Sequence, residues 1–252
     1  MGEGRGEQRE GASDGKARPC GLRQNAGERR REWRGARIEA VQEIVYEVLQ
    51  LAGILAFAIS GALVGVRRNL DLLGVIVVGT STGVGGGILR DMLIGVHPPV
   101  SFVHWPNLAT AVAGSLVVFF VHPSLSRIRH FEVVFDAFGL GLFSANSAAT
   151  AYASGQTVVT SVLVGTITAI GGGVIRDVLV NTVPGVLTRE LYAVSALSGA
   201  GIAVAVMALG GGAGLASLIG GAAAITLRLL SVARGWHLPR PRLVRSRGED
   251  RR

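Results

Sequence analysis

The 252-residue chain is about half hydrophobic, and the 17 % of its residues that are charged are concentrated in the two tails and a few short loops. A soluble protein of this length could not wrap so large an apolar core, and the composition is typical of a membrane protein with several spanning helices. The net charge of +8 comes from arginine-rich tails, which favour lipid contact or membrane orientation over nucleic-acid binding.

The N-terminal segment, residues 1–43, is rich in Gly, Arg and Glu and holds almost no aliphatic residue before Ile38. This composition predicts disorder, because little apolar surface is available to offset the entropy of ordering. We do not predict a signal peptide, because the segment lacks a short apolar core followed by a small-residue cleavage site.

Seven apolar runs follow, and each is predicted to be a membrane-spanning helix. They cover residues 44–66, 72–89, 105–121, 133–153, 158–175, 191–209 and 215–230. Tyr and Trp residues near the ends of these runs match the aromatic belt of membrane interfaces. Arg228 lies near the end of the last run, so we expect its side chain to reach the interface.

Arginine placement predicts the orientation of the spans. The loops after spans 1, 3 and 5 contain Arg67 and Arg68, Arg127 and Arg129, and Arg189. Positively charged short loops face the cytoplasm, so the N-terminus is predicted outside and the C-terminus inside. The basic N-terminal tail opposes this orientation, but it mixes Glu with Arg, and the rule is best attested for short loops.

A seven-residue motif occurs twice, and Gly85-Gly86-Gly87-Ile88-Leu89-Arg90-Asp91 returns 86 positions later as Gly171-Gly172-Gly173-Val174-Ile175-Arg176-Asp177. Between residues 78 and 100, twelve of 23 positions are identical at this offset, and Phe57/Phe143 extend the register upstream. Three spans are an odd number, so the second copy enters the membrane from the opposite face. The sequence therefore predicts an all-α membrane protein with an inverted 3+3 repeat plus a seventh helix, which is typical of transporters and channels.

This interpretation divides the chain into five segments. They are a disordered tail (1–43), a first three-helix repeat (44–122), a second, inverted repeat (131–209), a seventh helix (213–231) and a basic cytoplasmic tail (232–252).

The glycine triplets lie near the ends of spans 2 and 5. Glycine is a poor helix former, so three in succession predict a break or a kink in each helix. Carbonyls and amides freed at a break would be available to ions. Gly79, Gly83 and Gly87 are also spaced by four, so close packing of helices is an alternative role.

Arg90-Asp91 and Arg176-Asp177 follow the triplets at membrane depth. An unpaired charge there costs about 2.5–3.5 kcal/mol on insertion scales, so we expect the arginine of each copy to pair with the aspartate of the other. A compatible interpretation is that these charges line an ion pathway and set its field. Asp136, early in span 4, is expected near the interface and in contact with solvent.

Hydroxyl and amide side chains lie before the triplets and in the neighbouring spans, and they are further candidates for an ion pathway. These residues are Thr80, Thr82, Thr166, Thr168, Ser60 and its repeat counterpart Asn146. Hydroxyl groups in spans commonly bond back to their own helix, which is the alternative interpretation.

No enzyme is predicted, because the glycine-rich motif lacks the Gly-Lys-Ser/Thr ending of a phosphate-binding loop and the spacing of a dinucleotide site. The five histidines are scattered at no metal-ligand spacing, so neither a metal nor another cofactor is predicted.

Two GGGxxRD motifs on spans 2 and 5 of a seven-span inverted repeat resemble the prokaryotic trimeric intracellular cation (TRIC) channel family, also known as a glycine-transporter or UPF0126 domain. Residues 57–62 and 189–193 resemble it as well, so the likeness covers about residues 45–230. It implies a homotrimer in the cytoplasmic membrane with a potassium-permeable pore in each protomer. Helices 2 and 5, kinked at Gly85–Gly87 and Gly171–Gly173, would line that pore. Animal members differ at the motif, so their phosphoinositide is not expected here.

The sequence thus predicts a monovalent-cation channel whose partners are other copies of the chain, membrane lipid and monovalent cations, with no nucleic acid. A secondary transporter for a small neutral solute such as glycine is the alternative, since inverted repeats with broken helices serve both functions. A membrane scaffold in which the glycines only pack is a third possibility.

Overall fold

The computed structural model describes residues 21–122, 125–188 and 191–236, with side chains described from Val41 onward except over 123–128. Predicted features at residues 1–20, at Arg189 and from residue 237 onward lie outside these ranges. The chain divides into two units, residues 1–40 and 41–252.

Within the described ranges, the chain forms only helices. They are α1 (Gly21–Arg67), α2 (Leu72–Ile94), α3 (Val100–Val103), α4 (Trp105–Val121), α5 (Leu125–Ala153), α6 (Val158–Leu179), α7 (Gly185–Thr188), α8 (Tyr192–Ala208) and α9 (Ala213–Arg234). The predicted all-α class is confirmed. α5 packs against α6, α8 and α9, and α2 packs against α4 and α6.

Each predicted span coincides over most of its length with one long helix. Among the described residues, four segments are long and apolar enough to cross a membrane, namely Val41–Arg67, Leu72–Ile94, Val158–Leu179 and Ala213–Arg234. α4 and α8 are also apolar, and each has 17 residues. The protein is therefore a helical membrane protein that crosses the bilayer several times.

The start of α1 differs from the disorder predicted for residues 1–43, because the helix begins at Gly21. Residues 21–43 are rich in Arg, Glu, Gln and Ala, which have high helix propensity. A helix that is already nucleated by an apolar span gains one backbone hydrogen bond for each residue added. The lack of apolar residues therefore does not prevent helix formation here.

α2 and α6 begin and end at equivalent positions of the repeat. Asp71 Oδ1 accepts a hydrogen bond from the Gly74 N–H (2.7 Å), and Thr157 Oγ1 accepts one from the Thr160 N–H (3.2 Å). At the other ends, Gly95 (φ 80°) and Asn181 (φ 54°) adopt the left-handed conformation that commonly ends a helix. The two copies thus share a backbone framework.

The glycine triplets do not interrupt these helices, so the predicted breaks are wrong. Glycine lowers helix stability by about 1 kcal/mol per residue relative to alanine. A backbone polar group left without a partner in the apolar part of a membrane costs several kcal/mol. The continuous helix is therefore the lower-energy arrangement, and the glycines must have another role.

The packing between α1 and α5 also uses equivalent residues of the two repeat copies. Phe57 and Phe143 are both buried and stack with their ring centroids 5.5 Å apart. A Cβ on Gly139 would lie 2.5 Å from the Phe57 ring, and one on Gly53 would lie 3.2 Å from the Phe143 ring. Glycine at these positions leaves the space that the stacked rings occupy.

Gly139→Ala is expected to destabilise the protein, because the new Cβ overlaps a fully buried ring that has no free space to move into. Overpacking of this kind costs about 1–3 kcal/mol. Gly201→Ala, in α8, is the matched control, since no atom outside its immediate helix neighbourhood lies within 4 Å of the added Cβ. Thermal unfolding in detergent should show a lower midpoint for the first variant only, and equal effects of both would contradict this account of the core.

Candidate functional site

The two motif helices, α2 and α6, cross at their glycine triplets. A Cβ on Gly86 would lie 2.5 Å from the carbonyl oxygen of Thr168, and one on Gly172 would lie 2.7 Å from that of Thr82. Both distances are too short for any side chain, so the backbones themselves are in contact. The packing role predicted for the glycines spaced by four does not describe this crossing, because Gly79 and Gly83 face α1 and α4 instead.

The contacts run in opposite directions along the two helices. Gly85 faces the side chain of Ile175, and Gly171 faces that of Leu89. Residues later in α2 therefore meet residues earlier in α6, so the helices cross antiparallel.

The predicted pairing of Arg90 with Asp177 is wrong, and the same holds for its mirror pair, Arg176 with Asp91. The contacts centre near residues 85–86 of α2 and 171–172 of α6, so each Arg-Asp end lies about five residues, or roughly 7–8 Å, beyond the centre of the crossing. Antiparallel helices carry these ends in opposite directions, so they are about 15 Å apart along the axes. Each arginine instead pairs with the aspartate that follows it.

The first charged site, called the Arg90 cluster, consists of Arg90, Asp91 and Gln50. Arg90 is 3 % exposed, and its Nε donates to Asp91 Oδ1 (2.9 Å) while its Nη1 donates to Gln50 Oε1 (3.2 Å). The other carboxylate oxygen of Asp91 accepts from the backbone N–H of Val100, where α3 begins (2.8 Å). The aspartate therefore holds both its arginine and the chain that leaves α2.

The second charged site, called the Arg176 cluster, consists of Arg176, Asp177, Asp136 and Ser60. Arg176 is 1 % exposed, and its Nε donates to Asp177 Oδ1 (2.9 Å). Its Nη1 donates to Asp136 Oδ1 (2.6 Å) and to Ser60 Oγ (2.8 Å). Asp177 Oδ2 accepts from the Gly185 N–H at the start of α7 (2.7 Å), which parallels the contact of Asp91.

Gln50 and Asp136 are equivalent positions, because they are 86 residues apart and each accepts from Nη1 of a motif arginine. Asp136 is 1 % exposed, so the expectation of a solvated carboxylate is wrong. α5 begins at Leu125, which places Asp136 about three turns inside the helix rather than at its start. The Arg176 cluster therefore has a carboxylate where the Arg90 cluster has an amide.

Arg228 is also buried, at 1 % exposure, and does not reach the interface as predicted. Its guanidinium carbon lies 5.0 Å from the centroid of the Tyr192 ring, a favourable cation–π geometry. α9 continues to Arg234, so Arg228 lies inside the helix rather than at its end. A Cβ on Gly173 would lie 2.7 Å from the Tyr192 hydroxyl, so this aromatic side chain reaches the second triplet.

The predicted hydroxyl and amide residues do not form a single group. Thr82 and Thr166 donate to backbone carbonyls of their own helices, at Val78 (2.6 Å) and Val162 (2.7 Å). This back-bonding is the common behaviour of threonine in a helix and matches the alternative interpretation of these hydroxyl groups.

The remaining predicted residues have different surroundings. Ser60 belongs to the Arg176 cluster, and Asn146 Oδ1 accepts from Ser217 Oγ (3.2 Å). Within the described part of the chain, the hydroxyls of Thr80 and Thr168 and the Nδ2 of Asn146 have no hydrogen-bond partner. Buried polar groups of this kind require an explanation, such as a water or an ion.

A cavity of about 550 Å³ adjoins the first charged site and is called the Arg90 cavity. Five helices contribute to its lining, α1 with Glu47, α2 with Arg90, α3 with Val103, α4 with Asn107 and α5 with Thr150. The hydroxyls of Tyr46 and Thr150 are 2.8 Å apart and join α1 to α5 beside the cavity.

Sequence reasoning missed Gln50 and Tyr192 as site residues. Gln50 was detectable, because it is a polar residue in an apolar run and stands at the repeat offset from Asp136. Tyr192 carries no such signal, since its repeat counterpart is Pro106.

Comparison with known proteins places the chain in a family. A sequence profile described as Glycine transporter matches residues 47–123 and 133–208, which together make up more than half of the chain. The UPF0126 membrane protein YvgT of Bacillus subtilis is 36 % identical over 200 residues, covering 78 % of this chain and 96 % of that protein. A UPF0126 membrane protein of Deinococcus radiodurans is 44 % identical over 155 residues, 61 % of this chain and 72 % of the relative.

Solved structures of TRIC channels are similar too. A TRIC cation channel studied for its conductance is 38 % identical with a TM-score of 0.72, covering 79 % of this chain and 98 % of that one. The TRIC orthologue of Rhodobacter sphaeroides is 35 % identical with a TM-score of 0.71, covering 76 % and 98 %. This chain belongs to the TRIC/UPF0126 family. The predicted family is thus confirmed, and the solved TRIC relatives are channels rather than enzymes.

A pair of double-mutant cycles tests the pairing in this TRIC/UPF0126 protein. Arg176→Ala and Asp136→Ala should each lower the free energy of unfolding by about 3–5 kcal/mol, because each leaves a buried charge without its partner. The double variant should recover part of that loss, as expected for contacting residues.

Arg90→Ala and Asp177→Ala form the control cycle. These residues lie on opposite sides of the crossing, so their effects should add to within about 0.5 kcal/mol. Denaturation of the purified protein measures both cycles. Strong coupling in the control cycle would favour the pairing between copies that the structure contradicts.

Proposed function

We propose that this protein is a monovalent-cation channel, conducting K⁺, in the cytoplasmic membrane. The observation that carries the proposal is the antiparallel contact of α2 and α6 at their glycine triplets, with one buried charged cluster on each side. Ionisable groups inside a membrane are expensive and are usually retained for function. The TRIC cation channels among the solved relatives support the same function.

The proposed pathway runs past the crossing, with α2 and α6 as its lining. Neither motif arginine presents an uncompensated positive charge to a cation, because a carboxylate holds each one. The proposed pathway residues are the six triplet glycines, Thr80, Thr82, Thr166, Thr168, Ser60 and Asn146. A hydroxyl that donates to its own helix still has oxygen lone pairs for a cation, so back-bonding does not exclude Thr82 or Thr166.

In this proposal the channel opens when α2 and α6 separate at the crossing. The backbones are in contact there, so the structure corresponds to a closed crossing. At Gly86 and Gly172 the contact is with backbone carbonyls, so the side chains that would have to move on separation are those of Ile175 and Leu89, which face the other two glycines.

The proposed membrane topology is seven spans in an inverted 3+3 repeat plus a seventh helix, with the N-terminus outside and the C-terminus inside. Two observations support it. The family profile matches the chain twice, at residues 47–123 and 133–208. The motif helices also cross antiparallel, as copies inserted from opposite faces would.

The proposed assembly is a homotrimer embedded in membrane lipid. The Rhodobacter sphaeroides relative is described as a trimeric intracellular cation channel orthologue. Large apolar side chains at the end of α4, among them Phe120 (73 % exposed) and Val121 (74 % exposed), provide surfaces for lipid or for a neighbouring subunit.

A disulfide across the crossing tests the proposed opening. The Cβ of a residue at 85 would lie 4.0 Å from Ile175 Cβ, within the range that a disulfide requires. Gly85→Cys with Ile175→Cys, in a Cys20→Ser background, should therefore form a bond that holds α2 against α6. We expect single-channel currents in planar bilayers to disappear on oxidation and to return on reduction.

The controls are Gly85→Cys with Ile175→Ala and Gly85→Ala with Ile175→Cys, which keep one cysteine each and should carry the same current in both redox states. Full currents through the oxidised double variant, with bond formation confirmed by mass, would contradict opening at the crossing. Saturable uptake of a solute by the parent protein without any conductance would instead favour the transporter of a small neutral solute.

Cysteine labelling tests the orientation. Gly155 lies in the loop after span 4, which is proposed to be outside, and Asn69 lies in the loop after span 1, which is proposed to be inside. Both have positive φ angles, so the adjacent exposed residues Ser154 and Arg68 are better positions for cysteine. In the Cys20→Ser background, Ser154→Cys should react with an impermeant thiol reagent in intact cells. Arg68→Cys should react only after permeabilisation, and the reverse pattern would overturn the proposed orientation.

A further inference from the structure

The Arg90 cavity has the size and composition of a small-molecule site. Its volume of about 550 Å³ falls in the range of ligand pockets, about 300–1,000 Å³. Aliphatic side chains make up much of its wall, including Leu51, Ile94, Val100 and Val103. A few polar groups among apolar walls are the usual pattern of a site that orients an organic ligand.

The second repeat shows how a motif arginine binds a carboxylate. Arg176 Nη1 donates to the Asp136 carboxylate at 2.6 Å, whereas Arg90 Nη1 donates to the Gln50 amide oxygen at the longer distance of 3.2 Å. Charge-assisted bonds are shorter and stronger than bonds to a neutral acceptor. A carboxylate that entered the Arg90 cavity would therefore be a stronger partner for Arg90 than Gln50 is.

A second polar group in the cavity wall is unsatisfied. Asn107 lines the cavity, is 1 % exposed, and its Nδ2 has no hydrogen-bond partner among the described residues. A buried amide donor without an acceptor is unfavourable, so it is an additional group that a ligand oxygen would satisfy.

The charges of the cavity disfavour a simple anion. Asp91 already neutralises Arg90, and Glu47 adds a carboxylate on the α1 side. A ligand that carries both a carboxylate and an ammonium group matches this arrangement, with its carboxylate at Arg90 and its ammonium at Glu47.

We infer that the Arg90 cavity binds an α-amino acid with an aliphatic side chain. Its zwitterion satisfies Arg90 and Glu47, and its side chain packs against the aliphatic wall. The wall and the volume favour such a ligand over glycine, which would leave most of the apolar surface uncovered. The inference does not depend on conduction, so binding and the channel proposal succeed or fail separately.

Isothermal titration calorimetry of the purified full-length protein tests the site with four probes. L-Leucine should bind at least about tenfold more tightly than glycine, because it buries more apolar surface. Isovalerate lacks the ammonium group and isoamylamine lacks the carboxylate, so both should bind at least about tenfold more weakly than leucine. Absence of leucine binding, or equal affinity for leucine and isovalerate, would overturn the inference.

Two isosteric variants identify the contacts. Gln50→Glu copies the second repeat and gives Arg90 an internal carboxylate, so it should weaken the binding of leucine and isovalerate at least about tenfold. Glu47→Gln should weaken leucine by a similar factor and should strengthen isovalerate, because it removes a charge of the same sign as the isovalerate carboxylate. Glu43→Gln, one turn earlier on α1 and exposed, is the matched control and should bind leucine like the parent. If all three variants bind leucine as tightly as the parent protein does, leucine binds outside the Arg90 cavity and the inference is wrong.

Discussion

The structure depends on a contact that two helices make without side chains. At Gly86 and Gly172, each motif helix lies against a backbone carbonyl of the other, and a single added methyl group would not fit. Dispersion attraction weakens steeply with separation, so wider spacing at this point would weaken packing along the whole crossing. The glycines therefore serve close approach within continuous helices, and the antiparallel direction of the crossing decides where the charged residues lie.

The motif arginines and aspartates are buried as ion pairs between neighbouring residues. Each arginine binds the aspartate next to it, and each aspartate also holds the backbone N–H of the one-turn helix that follows, at Val100 or Gly185. The cost of a charge at membrane depth, about 2.5–3.5 kcal/mol, is thus offset within one copy of the repeat. No motif ion pair has to break if the copies move apart, so this arrangement is compatible with opening at the crossing.

The two copies share their backbone framework and differ in side chains. The helix caps and glycine contacts match at the 86-residue offset. Around the motif arginines, Asp136 provides a carboxylate in one copy, whereas Gln50 and a cavity of about 550 Å³ stand beside the arginine in the other. Arg176 thus has a second carboxylate from the protein itself, whereas Arg90 has a cavity beside it that a small molecule could occupy.

The sequence by itself determined the helical class, the apolar segments, the duplicated motif and the family. These features depend on residues close together in the chain, or on a repeat that can be recognised in the sequence itself. Only the tertiary structure decided that the triplets stay helical and that each arginine pairs within its own copy. It also decided that Asp136 and Arg228 are buried. The partner of a buried charge depends on the direction in which two helices cross, and that direction is not a local property of either helix.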